Sequence, residues 1–151
     1  MNGRPDPSIT LVDVTADNWR DIADLAPADD QRLFVPPLAA RYLLLGVYGD
    51  TWHNLGAYDG ATPVAHVMWG TDEDGSRWIG GLLVDTAHQG RGVGRAVMRE
   101  MVARLRAAGD EPVRLSHHPA NVVSRTLFES LGFRPTGVVE GGEVEMELTL
   151  G

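Results

Sequence analysis

Apolar and polar positions alternate near the start of the chain, with Ile9, Leu11, Val12 and Val14 spread over residues 8–14, and this period predicts a first strand. Trp19, Ile22 and Leu25 then fall at helical spacing, so a helix is expected over 16–25, capped by Thr15 or Asp17. Pro27, Pro36 and Pro37 bracket an irregular segment, 28–35. Pro37 suits the first turn of a second helix over about 38–47. Leu43, Leu44, Leu45 and Val47 make that helix apolar nearly all round, which marks it as buried or as part of an interface. Three strands are predicted next, at 53–58, 64–70 and 77–85, separated by turn signals at Asp59-Gly60 and at Asp72-Glu73-Asp74-Gly75. The third is apolar on both faces, as an interior strand of a covered sheet would be.

The second half changes period. Val93, Val97, Met101 and Leu105 recur every four residues, so a helix over 93–107 packs one face inward and turns Arg95, Arg99, Arg104 and Arg106 outward. Gly109 ends it. A buried strand at 113–116, a helix over 121–131 ended by Gly132, and a hairpin (138–139, a turn at 140–142, then 144–150) complete the chain. Hairpin-linked strands come first and strand–helix–strand units follow. That order predicts an α/β protein with a mixed, largely antiparallel sheet of about seven strands and helices on both faces. Neither a repeat nor a linker divides it. Residues 8–151 are expected to form a single domain after a lead-in, 1–7, that is disordered or frayed.

Composition narrows the function classes. The chain has 151 residues, 43 % of them hydrophobic, and no cysteine, which removes disulfides, thiolate metal sites and a cysteine nucleophile. Its net charge of −8 gives no overall field that attracts nucleic acid or an anionic membrane, but it does favour cations such as amines. No apolar run reaches membrane-spanning length and the start lacks a signal pattern, so the expected location is the cytoplasm. The five histidines (53, 66, 88, 117 and 118) never fall two to a helix face, so no metal site is expected. No Gly-x-Ser-x-Gly elbow is present.

One stretch carries chemistry. The apolar strand from Trp78 breaks at Asp85 and passes through Gln89-Gly90-Arg91-Gly92-Val93-Gly94-Arg95 into the long helix. A strand, a glycine-rich turn and a helix start make an anion site: the helix N-terminus leaves N–H groups unpaired, and glycine lets the backbone approach a phosphate. Arg91 and Arg95 add charge. The dinucleotide fingerprint Gly-x-Gly-x-x-Gly fails at Arg95, and no Gly-x-x-x-x-Gly-Lys-Ser/Thr exists.

Gln89-Gly-Arg-Gly92-Val-Gly94 resembles the Gln/Arg-x-x-Gly-x-Gly/Ala signature of the GNAT N-acetyltransferase superfamily. Asn121-Val-Val-Ser124-Arg-Thr-Leu127-Phe128-Glu-Ser-Leu131-Gly132-Phe133 resembles that superfamily's C-terminal motif, in the same order along the chain. The opening Ile9-Thr-Leu with Thr15-Ala-Asp-Asn-Trp19, the strand start Trp78-Ile79, and Leu115-Ser with His118-Pro-Ala-Asn121 are most similar to the bacterial polyamine acetyltransferase branch.

The resemblance implies acetyl-CoA as co-substrate. Backbone groups of Leu82 and Val84 would meet the pantetheine arm and the thioester carbonyl, with Val84 N–H as oxyanion donor. Gln89, Gly90, Arg91, Gly92, Val93, Gly94 and Arg95 would hold the pyrophosphate and neighbouring phosphates. Asn121 would contact the pantetheine, with Phe128 beside the sulfur. Two departures stand out. The tyrosine that often protonates the leaving thiolate is Phe128 here, and Gly80-Gly81 replaces the Asp-Arg pair usual in the polyamine branch.

The chemistry expected is direct attack of a small-molecule primary amine on the thioester in a ternary complex. A thiol of pKa about 8.5 leaves tolerably without an acid, whereas freeing an amine of pKa about 10.4 at pH 7 costs about 4.6 kcal/mol. A base therefore matters more than the missing hydroxyl, and His117 or His118 is the candidate. His66, mid-strand, reads as a satisfied sheet histidine. Glu140, Glu143 and Glu145 could rim an acceptor site, and Trp52, Trp69 and Trp78 could wall it. The alternatives are acetylation of a protein N-terminus or lysine, an antibiotic-tailoring or detoxifying enzyme using another acyl-CoA, and a non-catalytic acyl-CoA sensor. The apolar second helix is the candidate surface for a homodimer.

Overall fold

The computed structural model describes residues 7–109 and 111–148. Expectations that fall on 1–6 and 149–151 lie outside them. The elements run β1 (Ile9–Asp13), α1 (Trp19–Ala23), α2 (Ala40–Tyr48), β2 (His53–Asp59), β3 (Thr62–Thr71), β4 (Arg77–Val84), α3 (Val93–Ala108), β5 (Val113–His117), α4 (Val122–Ser130), β6 (Phe133–Glu140) and β7 (Glu143–Leu148). The strands form one seven-stranded sheet in the order β1-β2-β3-β4-β5-β7-β6. Every neighbouring pair is antiparallel except β4 and β5. This is the mixed, largely antiparallel sheet the element order predicts.

Two cores flank the sheet. The larger joins the apolar stripe of α3 (Val93, Val97, Met98, Met101, Leu105) to Leu55, Val67, Ile79, Leu115 and Met146, and α4 and β6 add Phe128 and Phe133. The smaller joins Ile22 of α1 and Leu43 of α2 to Leu83 of β4. Helix α3 follows its predicted period because four-residue spacing keeps one face on the strands. Gly109 closes it, its N–H donating to the Arg106 carbonyl.

Four expectations need correction. Helix α1 is only five residues long and is capped by neither Thr15 nor Asp17. The Thr15 hydroxyl instead accepts the Asp17 N–H, and the Asn18 carboxamide accepts the Thr15 N–H, so these side chains build the preceding turn. Of the two settings expected for α2, burial within the chain is not what is seen: Leu43 is buried, and Leu44, Leu45, Val47 and Tyr48 stand exposed. Strand β4 is half-buried along most of its length, with only Ile79 and Leu83 fully enclosed, because its neighbour β5 peels away. Strand β6 also begins earlier than expected, at Phe133.

Candidate active site

Strands β4 and β5 pair only at Arg77 with Val113 and Trp78 with Arg114. Beyond that point β5 continues along β7, through Ser116–Glu145 and His117–Val144, while β4 runs on with β3. The two parallel strands open into a wedge, and a sheet interior acquires two unpaired backbone edges. Asp85 N–H donates to the Val64 carbonyl across β3 (2.9 Å), so strand alternation turns the N–H and C=O of Val84 toward the wedge.

The wedge widens into two adjoining cavities. The first, about 410 Å³, is walled by Gly80, Gly81, Leu82, His117, Asn121 and Phe128, and Phe34, Tyr42, Trp52, Trp78 and Glu143 line it as well. The second, about 270 Å³, runs from Leu82–Val84 to His88, Gln89, Gly90 and Gly92–Arg95. Val35, Leu82 and Ser124 line both, so one groove leads from the glycine loop to the aromatic chamber.

The loop fits an anion. Gly90 and Gly92 adopt φ of 74° and 78°, a left-handed region that a side chain disfavours. Gly92 is the N-cap of α3, and its carbonyl accepts the Ala96 N–H. The N–H groups of Val93, Gly94 and Arg95 therefore have no partner within the helix. A Cβ on Gly94 would make only ordinary contacts, 3.6 Å from Leu127 and Val84, which shows how closely the start of α3 packs on β4. Gln89 lines the second cavity, and its Nε2 donates to the Val84 carbonyl (2.8 Å), tying the loop to the strand. Arg95 donates to the Ser130 hydroxyl of α4 (2.9 Å). Arg91 is exposed beside the loop.

The histidines separate by tautomer. His117 is buried, and its Nδ1 donates to the His118 carbonyl (2.9 Å), which leaves Nε2 with the lone pair. His118 is the reverse: its Nδ1 accepts the Ala120 N–H (3.1 Å), so its lone pair is spent on a turn. Phe128 stands between His117 (6.5 Å) and Phe133 (6.2 Å) and is itself buried. Asn121 caps α4, its Oδ1 accepting the Ser124 N–H (3.2 Å). Burial pushes the Tyr42 phenol up to about 12, and the Glu143 carboxylate adds to the shift. The phenol is therefore a protonated donor at any physiological pH.

Sequence reasoning missed Phe34, Val35 and Tyr42. Tyr42 is a hydroxylated aromatic directly before the apolar run Leu43–Leu45, and that was the available signal. Trp52 and Trp78 do wall the chamber and Trp69 does not. Glu143 is the carboxylate of the last hairpin that reaches it. Asp72 and Glu73 remain exposed on their turn. Among the described residues no cluster of three His, Asp or Glu side chains could hold a metal ion. No helix of them is long and apolar enough to cross a membrane.

The acetyltransferase (GNAT) family model matches residues 17–133, which include the glycine loop and most of the wedge. The chain belongs to the GNAT acetyltransferase family. Enzymes of this family take their acetyl group from acetyl-CoA. Solved structures repeat the GNAT fold. The GNAT domain of S. lividans PAT is 23 % identical with a TM-score of 0.75, over 93 % of this chain and 89 % of that one. A Bacillus subtilis acetyltransferase in complex with CoA is 15 % identical with a TM-score of 0.70, over 96 % and 99 %. The PaiA N-acetyltransferase of Thermoplasma acidophilum, in complex with coenzyme A, is 13 % identical with a TM-score of 0.68, over 95 % and 99 %. No curated protein matches the chain significantly.

Proposed function

We propose that this GNAT acetyltransferase, as a single unit over residues 8–151, transfers the acetyl group of acetyl-CoA to the primary amine of a small molecule with an apolar body. The observation that carries this reading is the continuous groove from the glycine loop, through the β4–β5 wedge, to a chamber walled by aromatic rings.

The residues divide the work. Backbone N–H groups of Val93, Gly94 and Arg95, with Arg91 beside them, bind the pyrophosphate at the α3 N-terminus. Leu82 and Asn121 line the path of the pantetheine arm. Val84 N–H, its carbonyl partner already taken by Gln89, donates to the thioester oxygen as charge develops there. His117 Nε2 takes the proton from the incoming ammonium or amine. Bound acetyl-CoA supplies an activated acyl group and a thiol leaving group. Phe128 offers no proton, and a thiol of pKa about 8.5 needs little help. Tyr42 keeps a phenolic hydrogen in the same chamber.

The chamber favours one class of acceptor. Its walls are Phe34, Tyr42, Trp52, Trp78 and Phe128, with Glu143 as its carboxylate. That set suits a monocation on an aryl or alkyl body. Gly81 adopts φ 61°, a left-handed conformation that strains any side chain, and a Cβ there would lie 2.9 Å from Met68 Cε, so the arginine of the polyamine branch is disfavoured at this position and would require Met68 to move. A polyamine is the second reading. It is favoured by a side cavity of about 360 Å³ where Asp72 and Glu73 lie beside Trp52 and Trp78. Thiol release from acetyl-CoA against arylalkylamines, alkylamines, polyamines and a lysine peptide separates the two. Turnover confined to polyamines supports the second reading, and turnover confined to the lysine peptide removes both.

A further inference from the structure

Strand β4 carries an irregularity where it borders the wedge. His66 of β3 pairs with Leu83 of β4, but Met68 pairs with Gly80. Two β4 residues, Gly81 and Leu82, therefore face one β3 residue, Val67. This is a bulge, and it re-aims the backbone that follows it. Gly81 adopts φ 61°, and a Cβ there would strike Met68 and approach His66 Cε1 at 3.1 Å. The bulge costs the Gly81 carbonyl its ladder partner on β3.

A side chain replaces that partner. His66 is fully buried, and its Nδ1 donates to the Gly81 carbonyl at 2.7 Å. Its Nε2 lies 2.7 Å from Asn54 Oδ1, and Asn54 Nδ2 donates to the Leu43 carbonyl of α2 (3.3 Å). With an oxygen facing each ring nitrogen, the neutral imidazole donates at one, and the tautomer with its proton on Nδ1 is the one that holds the bulge. Its ring stacks on Tyr42, 5.2 Å between centroids and 8° from parallel. One imidazole thus touches the bulge on one side and, on the other, the Tyr42 ring of α2 that lines the chamber. A merely space-filling residue would need neither contact.

We propose that His66 is a positioning residue for acyl transfer, its Nδ1–H holding the Gly81 carbonyl so that the bulge presents the Leu82 and Val84 backbone to the thioester carbonyl. The role rests on the acetyl-CoA reading above. His66 sits behind the strand and acts through it. Phosphate binding at the α3 N-terminus lies at the other end of the groove and does not depend on it.

The test follows the carbonyl itself. Acetyl-CoA labelled with ¹³C at the thioester carbonyl is bound to wild type, His66→Leu and His66→Asn, and its stretching band is read by difference infrared spectroscopy. Hydrogen bonding lowers that band. In His66→Leu the bound band should move up toward its unbonded position, and kcat should fall about 100-fold, as expected when reacting groups are misplaced by about an ångström. CoA affinity should fall far less than kcat, because the phosphate contacts at the α3 N-terminus are untouched. His66→Asn carries an amide N–H near the place of Nδ1 and should restore the band and most of kcat. An unmoved band in His66→Leu, a CoA affinity that falls with kcat, or no recovery in His66→Asn overturns the proposal. If His66→Leu does not fold, Gly81→Ala perturbs the same bulge from the strand itself. It must then move the band, and an unmoved band overturns the proposal equally. Wild type that binds no CoA would remove the acetyl-CoA reading, and this role with it. Wild type that binds and turns over while the variants keep its band would remove the His66 role alone.

Discussion

Gly92→Asp, compared with Gly92→Ala, isolates the electrostatics of the glycine loop. Gly92 has φ 78° and caps α3 at its N-terminus. A Cβ there meets only Pro7 Cδ, at 3.6 Å. Both variants therefore incur the left-handed backbone penalty, about 1–2 kcal/mol, without a serious clash. They differ in charge. At a helix N-terminus an aspartate is a favourable cap, so Gly92→Asp should be no less stable than Gly92→Ala. For a bound pyrophosphate the sign reverses. A like charge about 6 Å away at an effective dielectric of about 20–40 costs about 1.4–2.8 kcal/mol, or about 10–100-fold in affinity. Calorimetric titration of CoA into both variants at low salt, with thermal melts alongside, reads the two effects separately. The expected result is a CoA affinity lower in the aspartate variant by that factor, partly recovered in high salt, with an equal or higher melting temperature. Equal CoA affinity in the two variants would refute the assignment of this loop to a phosphate.

Other residues give independent checks. His117→Gln should lower kcat by about 100-fold or more while CoA affinity holds, whereas His118→Gln should change little, measured by thiol release. Phe128→Ala removes a buried ring packed on Phe133 and should cost about 3–5 kcal/mol of stability by denaturant titration. Below its melting point it should keep more activity than His117→Gln. Burial pulls His66 down to about 4 from 6.5. The unfolded chain therefore takes up a proton first, and stability should fall by about 3 kcal/mol as pH drops from 6.5 to 4; His66→Asn should lack that slope. Asp74 is held down at about 2, first by its bonds to Ser76 and then by Arg114. Its contribution is present above about pH 4 and lost between there and pH 2, so Asp74→Asn should flatten that part of the acid-unfolding curve.

What was legible in the sequence was local. The α3 stripe, the turn signals and the glycine loop each lie within one segment, and periodicity or backbone freedom reads them directly. Failures began where a partner decides. Leu44, Leu45 and Val47 look like core residues, yet α2 lies over β2 on Leu43 and leaves them outside. The wedge is invisible locally because it is a pairing that stops after Trp78. The choice between His117 and His118 needed the direction of two hydrogen bonds. His66 read correctly as a satisfied sheet histidine, but that its partner is the displaced carbonyl of Gly81 follows only from the register of β3 on β4. Tyr42 and Glu143 meet at one chamber from distant segments, and no spacing announces that.

The most direct test of the central claim is thiol release from acetyl-CoA by wild-type protein, titrated with a panel of arylalkylamines, alkylamines, polyamines and a lysine peptide. The expected result is saturable release with apolar monoamines and tight CoA binding in the same samples. CoA binding with no release from any amine, or no CoA binding at all, would contradict it.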